Sequence, residues 1–451
     1  MKISGFLLWA TIAYLAAFPT VCIADDGNLR YQPSGVSMRL WEDESGGVKQ
    51  FQDYLQTTSD AIETFHWKSD GESSDEHRSR ARLVAPREWR VNQDCDPQDT
   101  EGVLLIHGLS DSPFLMSDLG DALSEMSNDC FLIRSILLPG HASTPGDLRI
   151  VNWRDWVQAV RYGIESFQGE ASSVHVVGFS TGGALAVYWA LNSKSGHLSV
   201  PIKSLVLLSP AIRISGLPNL PRFLFSWVAT LSEWTGLMAW TEEAQDIDYA
   251  KYESFPLNAG YQLYLLDLAI EVDMHQMDIP IYMALSREDA TVDPLASIKL
   301  FQRFNHPNSQ LLVVAKDADE PTVKGLSDDR RVEVREGRIP LQRITSFSHN
   351  AFPVKPGNAH YGRYGDYANC LHYTSHDKRC ECKTEQMRLD HCGPARVVPE
   401  PSYGEKAKGL DEQNGVMRRL TFNPYFDDML TDIKKFIAIN GSRGKSPASD
   451  H

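Results

Sequence analysis

Ser180 sits in Gly178-Phe179-Ser180-Thr181-Gly182-Gly183, after the apolar run Val174–Val177 and before an apolar stretch of helical pattern reaching Leu191. At a strand–turn–helix junction this G-x-S-x-G pattern is a turn so sharp that only small neighbours fit beside the serine. The turn lifts the hydroxyl clear of the sheet's carboxyl end, and the helix start aims backbone N–H groups at developing negative charge. A glycine-rich turn without chemistry is the bland alternative for the motif alone. The strand before it and the helix after it favour a nucleophile.

A serine hydroxyl attacks slowly until a base takes its proton and a carboxylate orients that base. For a nucleophile at such a turn the chain order is Ser, then Asp or Glu, then His. Asp289 in "SREDATVDP" follows the apolar run Ile281–Leu285 and fits the acid. Glu288 and Asp293 are neighbouring alternatives, and a turn-capping aspartate is the ordinary reading of any of them. His349 ends "RITSFSH", which alternates like a half-buried strand and delivers the imidazole to the sheet's carboxyl end. His360 in "PGNAHYG" is the rival base, set among residues that give the chain many conformations. His372, His376 and His391 are more remote. The oxyanion needs donors as well. "GVLLIHG" breaks into the loop "LSDSPF", so the Leu109 and Thr181 N–H groups are the candidate pair. His107 precedes the serine and is expected to shape this loop instead of acting as base.

Elements must position these groups, and strand and helix signals alternate as in a mostly parallel α/β sheet. Strands are expected at Val103–Ile106, Phe131–Leu138, Ser173–Val177, Ser204–Leu208, Ile281–Leu285, Leu311–Ala315 and Gln342–Phe347, with helices such as Trp153–Phe167 and Leu295–Phe304. The polar run "KSDGESSDEHRSR" is expected to be a solvated loop or hairpin tip. Ile212–Met277, aromatic and helical in pattern, reads as a lid over the sheet; some of Phe223, Trp227, Trp234 and Trp240 are expected to line an acyl pocket. The expected organisation is a signal peptide over 1–24, an N-terminal extension over 25–100 and core segments over 101–211 and 279–351. The lid spans 212–278 between the core segments, a Cys/His-rich surface insertion covers 352–412, and a C-terminal helix within 413–440 packs on the core.

Composition narrows the partners. The chain has 451 residues, 44 Lys+Arg against 59 Asp+Glu, and a net charge of −15 with no dense basic run. Nucleic acid is therefore not an expected partner. Lys2, the apolar run Phe6–Phe18 and Cys22-Ile23-Ala24 before Asp25 resemble an export signal, with an N-terminal membrane anchor as the alternative. After signal removal no stretch is apolar and long enough to span a membrane. Cys95, Cys130, Cys370, Cys380, Cys382 and Cys392 then remain, an even number suited to disulfides in an oxidising compartment. Cys95 and Cys130 form the natural pair beside two strands. Cys380 and Cys382 each pair with Cys370 or Cys392, and a zinc site is the lesser alternative because C-x-C is not the usual knuckle.

Together "LLIHGLSDSP", "LLPGHASTPGDL" with "NWRDW", "VVGFSTGG", "LSREDATVDP" and "SFSH" resemble the serine α/β-hydrolases. The set is most similar to their monoglyceride-lipase and bacterial carboxylesterase branch, over Gly102–Pro210 and Pro280–Phe352. The resemblance implies an α/β-hydrolase fold with Ser180 as nucleophile, Asp289 as acid, His349 as base, and Leu109 and Thr181 as oxyanion donors. It implies two-step acyl transfer to water from a small ester or lipid substrate, with no metal or organic cofactor. A peptidase or amidase on the same fold, and a catalytically idle binding protein, are the competing functions. The N-terminal extension, the loop Lys316–Pro340 and the Cys/His-rich insertion depart from the family pattern.

Overall fold

Every residue of Glu101–Ile106, Phe131–Ile136, Ser173–Phe179 and Ile281–Ser286 is buried. Strands buried on both faces belong in a parallel sheet with helices on each side. The computed structural model describes residues 29–441 except 69–71, 93, 126–129, 194–197, 214–239, 243–245, 247, 273–277, 305, 368–401 and 406–416. Its strands are β1 (Glu88–Arg90), β2 (Glu101–Ile106), β3 (Phe131–Ile136), β4 (Ser173–Phe179), β5 (Ile202–Leu208), β6 (Trp240–Glu242), β7 (Phe255–Pro256), β8 (Ile281–Ser286), β9 (Gln310–Ala315), β10 (Val332–Glu336), β11 (Ser402–Gly404) and β12 (Met417–Arg419). Eight form one sheet in the order β1-β3-β2-β4-β5-β8-β9-β10, parallel throughout except for β1 against β3.

Alternation along each strand divides the core between the two faces. Leu104 and Ile106 pack with Trp156, Val160 and Leu185 of the helices Trp153–Glu165 and Thr181–Asn192. Val103 and Leu105 pack with Leu119 of Ser117–Ser124 and with Met429 and Ile433 of the C-terminal helix Phe426–Asn440. This is the α/β-hydrolase architecture, a mostly parallel sheet flanked by helices. The register sets Ile106, at the end of β2, opposite Gly178 of β4. The loop after β2 and the turn after β4 therefore emerge side by side.

Several expectations change. Gln342–Phe347 is not a strand of the sheet. A 3-10 turn over Pro340–Gln342 opens this stretch, and Arg343 is left-handed with a φ of 55°. Residues 343–345 instead pair with Tyr403 of β11 through backbone hydrogen bonds. The sheet edge is β10, inside the stretch expected as a loop, and its "VEVRE" charges suit an exposed edge. The run "KSDGESSDEHRSR" also holds a helix, Ser74–Val84, begun by a capping box between Ser73 and Glu76. A further helix, Phe51–Phe65, precedes it. The first part of the expected surface insertion is core, with Phe352, Val354, His360, Tyr361 and Tyr367 all buried.

Cys95 and Cys130 form a disulfide. The signal segment, Phe223, Trp227, Trp234, Cys370, Cys380, Cys382, Cys392, His372, His376 and His391 lie outside the described residues. Within the expected lid the helix Leu257–Val272 packs on the helix Thr181–Asn192. Among the described residues no helix is long and apolar enough to cross a membrane.

Candidate active site

The turn after β4 brings Ser180 to the sheet's carboxyl edge in a conformation that side chains rarely adopt, with φ 51° and ψ −115°. Surrounding hydrogen bonds hold it there. Its N–H donates to Leu208 O at 2.9 Å, and its carbonyl accepts from Ala184 N at 3.1 Å and Ala211 N at 2.9 Å. A Cβ on Gly178 would lie 2.4 Å from the Gly182 carbonyl carbon, and one on Gly182 would lie 2.3 Å from Ile106 O. Both glycines are needed because backbone meets backbone. Ser180 keeps only 7% of its surface exposed.

Asp289 and His349 come to this serine from two other loops. His349 Nδ1 donates to Asp289 Oδ2 at 2.6 Å, and Nε2 lies 2.9 Å from Ser180 Oγ. All three groups are buried, and the imidazole leans on the Phe179 ring. Asp289 Oδ1 accepts from Thr291 N at 2.8 Å and Val292 N at 2.9 Å, which leaves Oδ2 for the imidazole. The neighbouring acids serve elsewhere. Asp293 caps the helix Pro294–Arg303 through Leu295 N, and Glu288 accepts from Lys316 N.

The loop after β2 carries Leu109 and is pinned at the next residue. Ser110, with φ 64°, donates its N–H to His141 Nε2 at 3.0 Å and accepts at its carbonyl from Tyr252 N at 2.8 Å. His107 Nε2 likewise accepts from Leu138 N at 3.0 Å. An accepting Nε2 places the ring proton on Nδ1, which faces Gly108 O in His107 and Leu138 O and Pro139 O in His141. Burial pushes His141 down to about 4, and burial with His141 nearby pushes His107 well below the usual imidazole range. Both rings are neutral struts. Leu109 N–H has no hydrogen-bond partner among the described residues, and Thr181 opens the helix that follows Ser180.

His360 is held tightly, contrary to the flexibility its sequence neighbours suggest, by partners other than Ser180. Its Nε2 meets Asp248 Oδ1 at 2.9 Å and its Nδ1 meets Asp366 Oδ1 at 2.5 Å, while Tyr361 OH donates to Asp248 Oδ2 at 2.7 Å. Burial opposes its charge, yet the two carboxylates prevail and raise it to about 9. A second ion pair, buried Asp111 with the part-exposed Lys251 Nζ at 3.3 Å, lies within electrostatic range of His349. Burial raises the Asp111 carboxyl against the pull of Lys251.

Sequence reasoning overlooked His141, Tyr252, Glu405 and Arg419. The Pro-Gly-His turn after β3 hinted at the first. Nothing local marks the others, which act across long separations.

Comparison with known proteins gives the chain's family. The sequence profile described as the alpha/beta hydrolase family matches residues 103–341. The thermostable monoacylglycerol lipase of Bacillus sp. (strain H-257) is 27% identical over 231 residues, covering 49% of this chain and 86% of the relative. A structure of the metagenome-derived lipolytic enzymes LipS and LipT is 20% identical with a TM-score of 0.41, over 54% of this chain and 94% of that one. The Paleococcus ferrophilus monoacylglycerol lipase is 16% identical with a TM-score of 0.38, over 54% and 95%.

Proposed function

The chain belongs to the alpha/beta hydrolase family as a hydrolase of lipase and esterase type, and on that premise we propose that it cleaves carboxylic esters with Ser180 as nucleophile, His349 as base and Asp289 as the orienting acid. The observation that carries this is the line Asp289 Oδ2–His349 Nδ1 at 2.6 Å and His349 Nε2–Ser180 Oγ at 2.9 Å. His349 takes the hydroxyl proton as Oγ attacks the ester carbonyl, and Asp289 stabilises the imidazolium that forms. The oxyanion is received by the N–H groups of Leu109 and Thr181, where each donor is worth about a hundredfold or more in rate. His349 then protonates the leaving alcohol, and the acyl-Ser180 ester is cleared by a water that His349 activates in turn.

A glyceride or similar small ester is the substrate class, supported by the similarity to a bacterial monoacylglycerol lipase. A peptidase that grips a free amine needs an available carboxylate. Two buried ones among the described residues are engaged, Asp111 by Lys251 and Asp248 by His360 and Tyr361. Residues 212–278 serve as the lid in this reading, of which 214–239 lie outside the described residues. Export is part of the proposal, supported by the apolar N-terminal run and the Cys95–Cys130 disulfide.

The test is Ser180→Ala in purified protein, assayed on short-chain monoacylglycerols and with a fluorophosphonate. Hydrolysis should fall by about ten-thousandfold or more and labelling should vanish. Undiminished turnover in that variant rules the nucleophile out.

A further inference from the structure

Glu405 and Arg419 sit on the small β11–β12 ribbon, one just after β11 and the other at the end of β12. Both are buried, at 2% and 7% exposure. Their contacts converge on the two loops that carry Asp289 and His349. Glu405 Oε2 accepts from His349 N at 2.8 Å and from Ala290 N at 3.4 Å. Glu405 N donates to Ser346 Oγ at 3.0 Å. Arg419 Nε lies 3.1 Å from Glu405 Oε1, and its Nη2 donates to Glu405 Oε2 at 3.3 Å and to Thr291 Oγ1 at 2.8 Å.

We infer that the Glu405–Arg419 pair is a positioning clamp that fixes His349 against Asp289, and so sets the rate at which Ser180 is acylated; this rests on the roles proposed above for those three residues. His349 lies in no helix or strand, so no ladder holds its backbone. One carboxylate oxygen shared by His349 N–H and Ala290 N–H adds a backbone tie between two loops otherwise joined by the Asp289–His349 contact and by Ser286 Oγ donating to Phe347 O at 3.0 Å. Arg419 adds a second tie, through Thr291, whose own N–H holds Asp289 Oδ1. A buried ion pair is a weak source of net stability, because desolvating the charges offsets their attraction. Holding geometry is the role that its contacts describe. Strand β11 and Glu405 lie within 352–412, so the segment that departs from the family pattern supplies a part of the proposed site.

Glu405→Ala, Glu405→Gln and Arg419→Lys in the full-length protein test this. Fluorophosphonate titration counts competent serines, and rapid mixing with p-nitrophenyl acetate gives the acylation rate per competent serine. A clamp predicts about a 10- to 100-fold slower per-site rate in Glu405→Ala, with KM little changed. Glu405→Gln keeps an acceptor oxygen and should recover part of the rate, and Arg419→Lys should be several-fold slow. A merely structural pair would lower the number of titratable sites and leave the rate of each unchanged. Wild-type per-site rates in the two conservative variants overturn the clamp, whether or not Glu405→Ala folds. Ser180→Ala run alongside separates the layers. If it is inactive while the clamp variants acylate normally, only the clamp fails; if it turns over normally, the proposed chemistry fails first.

Discussion

His349 and His360 are both buried imidazoles facing carboxylates, and the number of acids each meets divides their capacities. His349 faces one, and its second nitrogen is left to the Ser180 hydroxyl. His360 faces two, keeps its proton with a value raised to about 9, and has no lone pair to offer at neutral pH. His349→Ala should therefore lose nearly all acylation even in protein that remains folded. His360→Ala should keep its per-site acylation rate and melt at lower temperature, because Asp248 loses its partner in the interior. Side-by-side active-site titration and thermal melts check this, and the reverse ranking would move the base. The sequence brought His349 forward for a reason the structure replaces. The alternating pattern of "RITSFSH" is not a strand, and what aims the ring is side-chain bonding from Asp289 and Glu405, whose distance along the chain hides it.

The elbow is the element most open to reading in the sequence, because its constraints are local: a strand, a turn with no room for side chains, and a helix. Gly182 carries the tightest of them, with a Cβ there falling 2.3 Å from Ile106 O and 2.7 Å from His107 O. The Ile106 carbonyl cannot withdraw without disturbing the end of β2. Gly182→Ala should push the helix Thr181–Asn192 off β2, spread the Leu109 and Thr181 N–H groups, and cost about 1–3 kcal/mol or more. Gly183→Ala, whose Cβ meets the Pro210 ring at 2.9 Å, should be milder in both respects. Denaturant midpoints together with acylation rates test the pair, and equal effects would refute the crowding argument. Strand β10 and the helix Ser74–Val84 were hidden from sequence by their charge, since edge strands and exposed helices both resemble polar loops.

Across the whole molecule the buried histidines pull stability in opposite directions. His66 and His141 are lowered to about 4 by burial, so their contribution is complete above the ordinary value of 6.5 and is lost as pH falls toward 4. His360 is raised to about 9, so its contribution is complete below 6.5 and is lost as pH rises toward 9. Together they place the histidine-linked optimum near 6.5, with each group changing stability by roughly 1.4 kcal/mol per pH unit inside its own window. Denaturant unfolding from pH 4 to 9 should show decline on both sides, and His360→Gln should flatten the alkaline side alone. An unaltered alkaline slope in that variant contradicts the assignment. None of these shifts was legible in sequence, where a histidine carries no mark of its burial or its partners.

The contacts that complete the site also set an order of events in time. Ser180 and His349 meet across 169 positions of chain, and Arg419 reaches Thr291 across 128. Loop closure over such spans is slow relative to local helix and turn formation. As the chain leaves the ribosome, the elbow can form long before the ribbon that clamps His349 has been synthesised. A chain cut short before Arg419 would carry Ser180 without the clamp proposed for His349, so on the proposed reading hydrolysis begins only once the ribbon has been made.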